Sequence, residues 1–123
     1  MITRDDIEEM GYSYYDTESS KPFNYSEWVE NKIVTEGTER LMENTLGLMG
    51  EAGEVAEKIK KMIRDDTRFT PYEIVKELGD VVFYATALAN YYGSSLNEML
   101  MLNIDKLDSR EKRGVIKGSG DNR

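Results

Sequence analysis

Two pairs of carboxylates, each pair three residues apart, stand in the middle of the chain: Glu51 and Glu54 in GEAGEVAEK, and Glu77 and Asp80 in KELGDVV. Residues three apart share a helix face, so each pair forms a two-pronged oxygen claw. If the two segments are antiparallel neighbours, as the short stretch from Asp65 to Thr70 suggests, the claws face each other. Carboxylates crowded in this way repel one another and lose hydration, so the group must either take up protons or bind a cation. The chain has no cysteine and no histidine, which removes sulfur and imidazole ligands and leaves oxygen alone. Hard magnesium fits such a site, with manganese as the alternative. The plainer reading is that acidic residues at helical spacing are solvated surface groups, with Glu54 paired to Lys58 four residues on.

The elements that would position these groups are all helical. Residues 1–22 mix polar and aromatic positions without a period and read as an N-terminal arm. An amphipathic stretch around Trp28, Val29 and Ile33 predicts a first helix from Asn24 to about Glu36, ended near Gly37. A second helix runs from Thr38 or Leu41 to Arg64, with Leu48, Val55, Ile59, Met62 and Ile63 on one side and Glu51 and Glu54 bordering them. Thr70-Pro71-Tyr72-Glu73 is a capping box that opens a third helix, which stops at Gly93. Ser95-Leu96-Asn97-Glu98 is a second capping box, opening a fourth helix that ends near Gly114. Residues 23–114 then form one all-α, four-helix bundle-like domain, and residues 115–123 form a polar, glycine-containing tail.

From Leu78 onward the third helix (LGDVVFYATALA) is apolar nearly all round, which is the composition of a buried helix, yet Glu77 and Asp80 stand at its head. Three short companions cannot cover it in a chain of 123 residues, so a second copy is expected to, as a homodimer or a dimer of dimers. A net charge of −8 with 33% charged residues argues against nucleic acid as a partner. An acidic chain still binds a phosphorylated small molecule where a divalent cation dominates the local charge. No apolar run reaches membrane-spanning length and MITRDDIEEM lacks a signal-peptide layout, so a soluble, cytoplasmic protein is expected.

The segments GLMGEAGEVAEKIKK, ELGDVVFYATALA and NIDKLDSREKRG, in that order, resemble the MazG-like all-α nucleotide pyrophosphohydrolases, over about Asn44 to the C-terminus. The ending GSGDNR is similar to that of the small single-domain members. The resemblance implies hydrolysis of a nucleoside triphosphate between its α and β phosphates, giving a monophosphate and pyrophosphate. It implies metal ligation by Glu51, Glu54, Glu77 and Asp80, and phosphate contacts by Asn103, Lys106 and Arg110 of the N-x-x-K-L-x-x-R motif. Helical spacing supports the second set on its own terms, since those three residues share a face beside Leu100, Ile104 and Leu107. Many members open the first motif with two adjacent glutamates; this chain has Gly50 at the first, so the resemblance gives four ligands rather than five. That G-E-x-x-E form resembles the deoxycytidine-triphosphate-cleaving branch.

The chemistry expected is in-line attack of an activated water on the α-phosphorus, with magnesium neutralising phosphate charge and Glu51 or Glu54 accepting the proton. Spacing adds further lining candidates: Lys61, seven residues after Glu54; Tyr84, four after Asp80; Asn44, seven before Glu51; and Trp28, which would stack on a base. Tyr84 and Trp28 are equally served by core packing. The tyrosines at 12, 14 and 15 and Asp121-Asn122-Arg123 would close over substrate or pack on a partner subunit. Two other enzyme readings carry the same claws, a deoxyuridine-triphosphate and a phosphoribosyl-ATP pyrophosphohydrolase, and a nucleotide panel separates them. A helical oligomerisation or adaptor module is the reading outside enzymes, and it predicts no stabilisation by magnesium.

Overall fold

The computed structural model describes residues 24–121 as four helices, with no strand among them. They are α1 (Tyr25–Lys32), α2 (Gly37–Arg64), α3 (Pro71–Tyr91) and α4 (Leu96–Lys112). The expected arm at 1–22, with its tyrosines, and tail residues Asn122 and Arg123 lie outside the described residues.

The helix ends follow local chemistry. Thr70 and Glu73 form the full reciprocal box at the head of α3, with Pro71 in the first turn. The second expected box is half made. Ser95 accepts from the Glu98 backbone N–H, but the Glu98 carboxylate is taken by the Ser94 hydroxyl at 2.8 Å instead of reaching back to the Ser95 backbone. α3 closes as a Schellman turn: Gly93 sits at φ +75°, its N–H bonds to Asn90 O, and the Ser94 N–H bonds to Ala89 O. α4 closes in the same way through Gly114 at φ +69°, with Gly114 N to Glu111 O and Val115 N to Arg110 O at 2.8 Å.

The hairpin of α2 and α3 is the main packing unit, and α1 and α4 each lean on α3. The two helices of the hairpin approach closely at Gly47, where an added Cβ would run into the ring of Tyr84. A helix-interior glycine costs intrinsic stability; here it admits a tyrosine ring against the α2 backbone. Four residues on from Gly47 is Glu51 and four back from Tyr84 is Asp80, so an antiparallel pair in this register brings those carboxylates level. Counted in the same register, α3 begins opposite Lys60, and the last turn of α2 overhangs it. That explains part of a departure from expectation: Ile59, Met62 and Ile63, grouped with the core stripe by periodicity, are all exposed, and the overhang accounts for Met62 and Ile63 but not for Ile59, which lies level with the first turn of α3.

α1 is capped by Asn24, which accepts from Glu27 N at 3.1 Å, and polar contacts latch it to the other three helices. Arg40 of α2 grips Glu30 with both terminal nitrogens, at 2.7 and 2.6 Å. Asn90 of α3 donates to Ser26 O and Glu30 Oε2, and the Leu96 N–H at the head of α4 donates to Ser26 Oγ at 2.8 Å. Below this latch Val29 and Ala87 are the buried apolar residues among those described, and the buried Thr86 hydroxyl is satisfied by Val82 O at 2.7 Å. The four helices therefore surround only a small core in one copy. Val75, Leu78 and Val82 on α3 and Leu100, Ile104 and Leu107 on α4 remain exposed.

Gly47→Ala should lower the urea midpoint, because overpacking against Tyr84 at about 1–3 kcal/mol outweighs a helix-propensity gain of about 0.5–1 kcal/mol. Gly50→Ala, with nothing near its added Cβ, should raise it. Stabilisation by both substitutions would contradict the close contact.

Candidate functional site

Glu51 projects from α2, and Glu77 and Asp80 project from α3 one turn apart. Each can place a carboxylate oxygen within 4.8 Å of the other two; Glu51 and Glu77 are half-buried and Asp80 is exposed. Three oxygens from two helices converging at this distance are a donor set that suits a hard divalent cation. Glu54, the fourth expected ligand, is exposed and stands outside this trio. It is near enough for its charge to act on Glu51. Loss of hydration, followed by the charges of Asp80, Glu77 and Glu54, raises the Glu51 carboxyl above its ordinary value.

Lys58 departs from the pairing that helical spacing suggests. Rather than pairing along its own helix with Glu54, it crosses to α3, where its ammonium lies 3.4 Å from Glu77 Oε1 and 4.8 Å from the centre of the Phe69 ring. Like the convergence itself, this contact depends on the inter-helix register, and no signal within either helix reveals it.

Tyr84 continues the line from Asp80 along α3. Its ring lies over Gly47 and meets Phe83 edge-on with centroids 5.3 Å apart. Phe83 meets Trp28 edge-on at 6.1 Å, and Trp28 stacks on Tyr25 at 5.6 Å with Lys32 over its ring. Trp28 thus serves as packing between α1 and α3. Asn44, three residues before Gly47 on α2, is 4% exposed, and its Nδ2 has no hydrogen-bond partner. A buried amide left in that state is costly unless something outside the chain accepts from it. Lys61 is half-buried on the last turns of α2, where its charge acts on Glu57 and Asp65.

On α4, Asn103 and Lys106 are exposed and Arg110 is buried at 5% exposure. Lys106 and Arg110 converge, as their spacing requires, but on a carboxylate of the chain itself. Asp121 Oδ1 lies 3.6 Å from Lys106 Nζ and 3.4 Å from Arg110 Nη2. Sequence spacing on α4 predicts the cation pair; it does not contain the return of the chain through Gly114 that supplies the anion.

The fold is thus all-helical, with an oxygen-only acidic cluster on one helix pair and a pair of cations on the following helix. The model of the MazG nucleotide pyrophosphohydrolase domain matches residues 39–115, and the chain belongs to that family. The Gene 37 protein of Mycobacterium phage L5 is 48% identical over 83 residues, covering 64% of this chain and 73% of the relative. No solved structure matches. Among the described residues no helix is long and apolar enough to cross a membrane.

Because the folded chain raises the Glu51 pKa, Glu51 contributes stability below the unfolded value, and that contribution is lost as pH rises through the folded one. Glu51→Gln should therefore unfold at higher urea than the parent at neutral pH in excess chelator, with the difference vanishing in acid. A lower midpoint for Glu51→Gln at neutral pH would show that the carboxylates are not crowded.

Proposed function

We propose that the chain hydrolyses a nucleoside triphosphate between the α and β phosphates, releasing a nucleoside monophosphate and pyrophosphate. The observation that carries this reading is the convergence of Glu51, Glu77 and Asp80 in a member of the MazG nucleotide pyrophosphohydrolase family. The trio fits magnesium, or manganese, because its donors are carboxylate oxygens only and the protein has neither histidine nor cysteine to favour a softer ion. Such a cation supplies charge neutralisation and Lewis acidity to the phosphates. Glu54, the fourth expected ligand, stands outside the trio within electrostatic reach of Glu51 and is the carboxylate we assign to take the proton of the attacking water. Lys106 and Arg110 neutralise the leaving pyrophosphate, with Asn103 beside them. The buried, unpartnered Asn44 amide and the Tyr84 ring border the claw on the side away from Lys61 and suit the nucleoside. Trp28 supports that side from α1, and Lys61 guards the opposite end.

Pyrophosphate release should be measured with the four deoxynucleoside triphosphates, deoxyuridine triphosphate and phosphoribosyl-ATP, with and without magnesium. The parent chain should release it only with the ion. Glu51→Gln and Asp80→Asn should each lower kcat/KM by at least about 100-fold, a loss of about 2.7 kcal/mol of transition-state stabilisation, while remaining helical by circular dichroism. Unchanged release in both variants, or none from the parent with any nucleotide, would leave the adaptor reading standing.

The same reading includes self-association. α3 exposes Val75, Leu78 and Val82 and α4 exposes Leu100, Ile104 and Leu107, a surface too apolar for one copy to leave in water. A second copy of the chain covers it, as a dimer or a dimer of dimers. Light scattering should return a multiple of the 14.1 kDa chain mass, and Leu78→Glu with Val82→Glu should shift it toward that mass. A parent chain already at 14.1 kDa contradicts the assembly.

A further inference from the structure

The segment after α4 folds back onto the helix that carries the cations. Gly114, at φ +69°, reverses the chain, and the Val115 N–H closes onto Arg110 O. The chain then brings Asp121 to Lys106 and Arg110. Arg110 Nη2 donates to Gly120 O at 3.4 Å, to Asp121 O at 3.0 Å and to Asp121 Oδ1 at 3.4 Å. Lys106 Nζ completes the cluster at 3.6 Å from the same carboxylate oxygen. The two cations hold the Asp121 carboxyl below its ordinary range, Lys106 contributing most. Residues 116–121 lie beyond the part of the chain that the family model matches.

Two features of this contact point beyond packing. Arg110 is 5% exposed, and its Nε is buried with no partner. Nε and one terminal nitrogen make up the edge with which a guanidinium grips a carboxylate or phosphate bidentately. Among the described residues the chain's acceptors gather at Nη2, so the fork is only partly used. The Asp121 side chain, in contrast, is 87% exposed. An ion pair with one partner so open to solvent is weak, and a polyphosphate carrying several charges and tetrahedral oxygens competes well for it.

We propose that Asp121 is an internal stand-in for substrate phosphate: its carboxylate occupies Lys106 and Arg110 in the free chain, and the phosphates of a bound nucleotide must displace it. This rests on the assignment of Lys106 and Arg110 as the phosphate seat. While Asp121 is seated, the local charge is that of two cations and one anion. When it leaves, the full charge of both cations faces the phosphates, and the buried edge of Arg110 becomes usable. Apparent affinity is then the intrinsic affinity multiplied by the fraction of chains with the seat vacant.

Inorganic tripolyphosphate, titrated calorimetrically into the full chain in excess chelator, tests the seat without the carboxylate trio's metal. Asp121→Asn should tighten binding by about three- to tenfold, since an occupied seat lowers apparent affinity by its vacant fraction. Gly114→Ala, which strains the left-handed turn that returns the segment, should tighten it in the same direction. Asp108→Asn removes an equal charge from α4 itself rather than from the returning segment and should have no such effect. Adding Lys106→Met to Asp121→Asn should abolish the gain. Unchanged or weaker binding in Asp121→Asn, or equal tightening in Asp108→Asn, overturns the proposal. If that happens while Lys106→Met alone still weakens binding, only the stand-in role falls. If Lys106→Met and Arg110→Met leave parent binding unaltered, the phosphate seat falls and the stand-in role falls with it.

Discussion

The contact between the Tyr84 ring and the bare backbone of Gly47 fixes how the two long helices lie against each other. Helices repeat with the same rise, so one close approach sets every level above and below it. One turn away on each helix that level carries Glu51 and Asp80, with Glu77 a turn further along α3. Shift the register by a turn and the claw opens, leaving separate acidic pairs on two helices. Gly47 thus contributes to the site without touching it, at the cost of a residue that weakens the helix it belongs to.

The trio shows what such enforced proximity does. Lost hydration, and after it repulsion, keeps a proton on Glu51 to higher pH than on a free glutamate, which is the state of a site short of positive charge. Lys58 offsets part of that charge by crossing to Glu77. The pairing leaves Glu51 and Asp80 without a comparable cation among the described ion pairs. The same deficit on α2 and α3 has its opposite on α4, where Lys106 and Arg110 gather around one carboxylate. An acidic cluster and a basic pair are thus carried by successive helices of one short chain.

The parts of this arrangement governed by local sequence were legible without a structure. Thr70-Pro71-x-Glu73 and Gly93 placed both ends of α3 because capping and left-handed turns are decided within a few residues. The claw residues were legible as types and spacing. The register that unites Glu51 with Glu77 and Asp80, leaves Glu54 outside and sends Lys58 across to α3 was not, because it depends on a ring meeting a glycine on another helix. Ser95 shows the limit even locally: the neighbouring Ser94 hydroxyl outcompetes the backbone for Glu98. The exposure of Met62 and Ile63 follows from where α3 starts, which periodicity on α2 does not contain. Asp121 reaches Arg110 only through a reversal at Gly114, and neither charge carries a mark of the other in the sequence.

The central claim is that Glu51, Glu77 and Asp80 act together as one cation site across the α2–α3 register. Calorimetric titration of manganese into the full chain tests it most directly. The account predicts saturable binding that Asp80→Asn and Glu51→Gln each weaken by at least about tenfold, about 1.4 kcal/mol, and that Glu54→Gln weakens less. Binding that is absent from the parent chain, or that survives both substitutions unchanged, would contradict it.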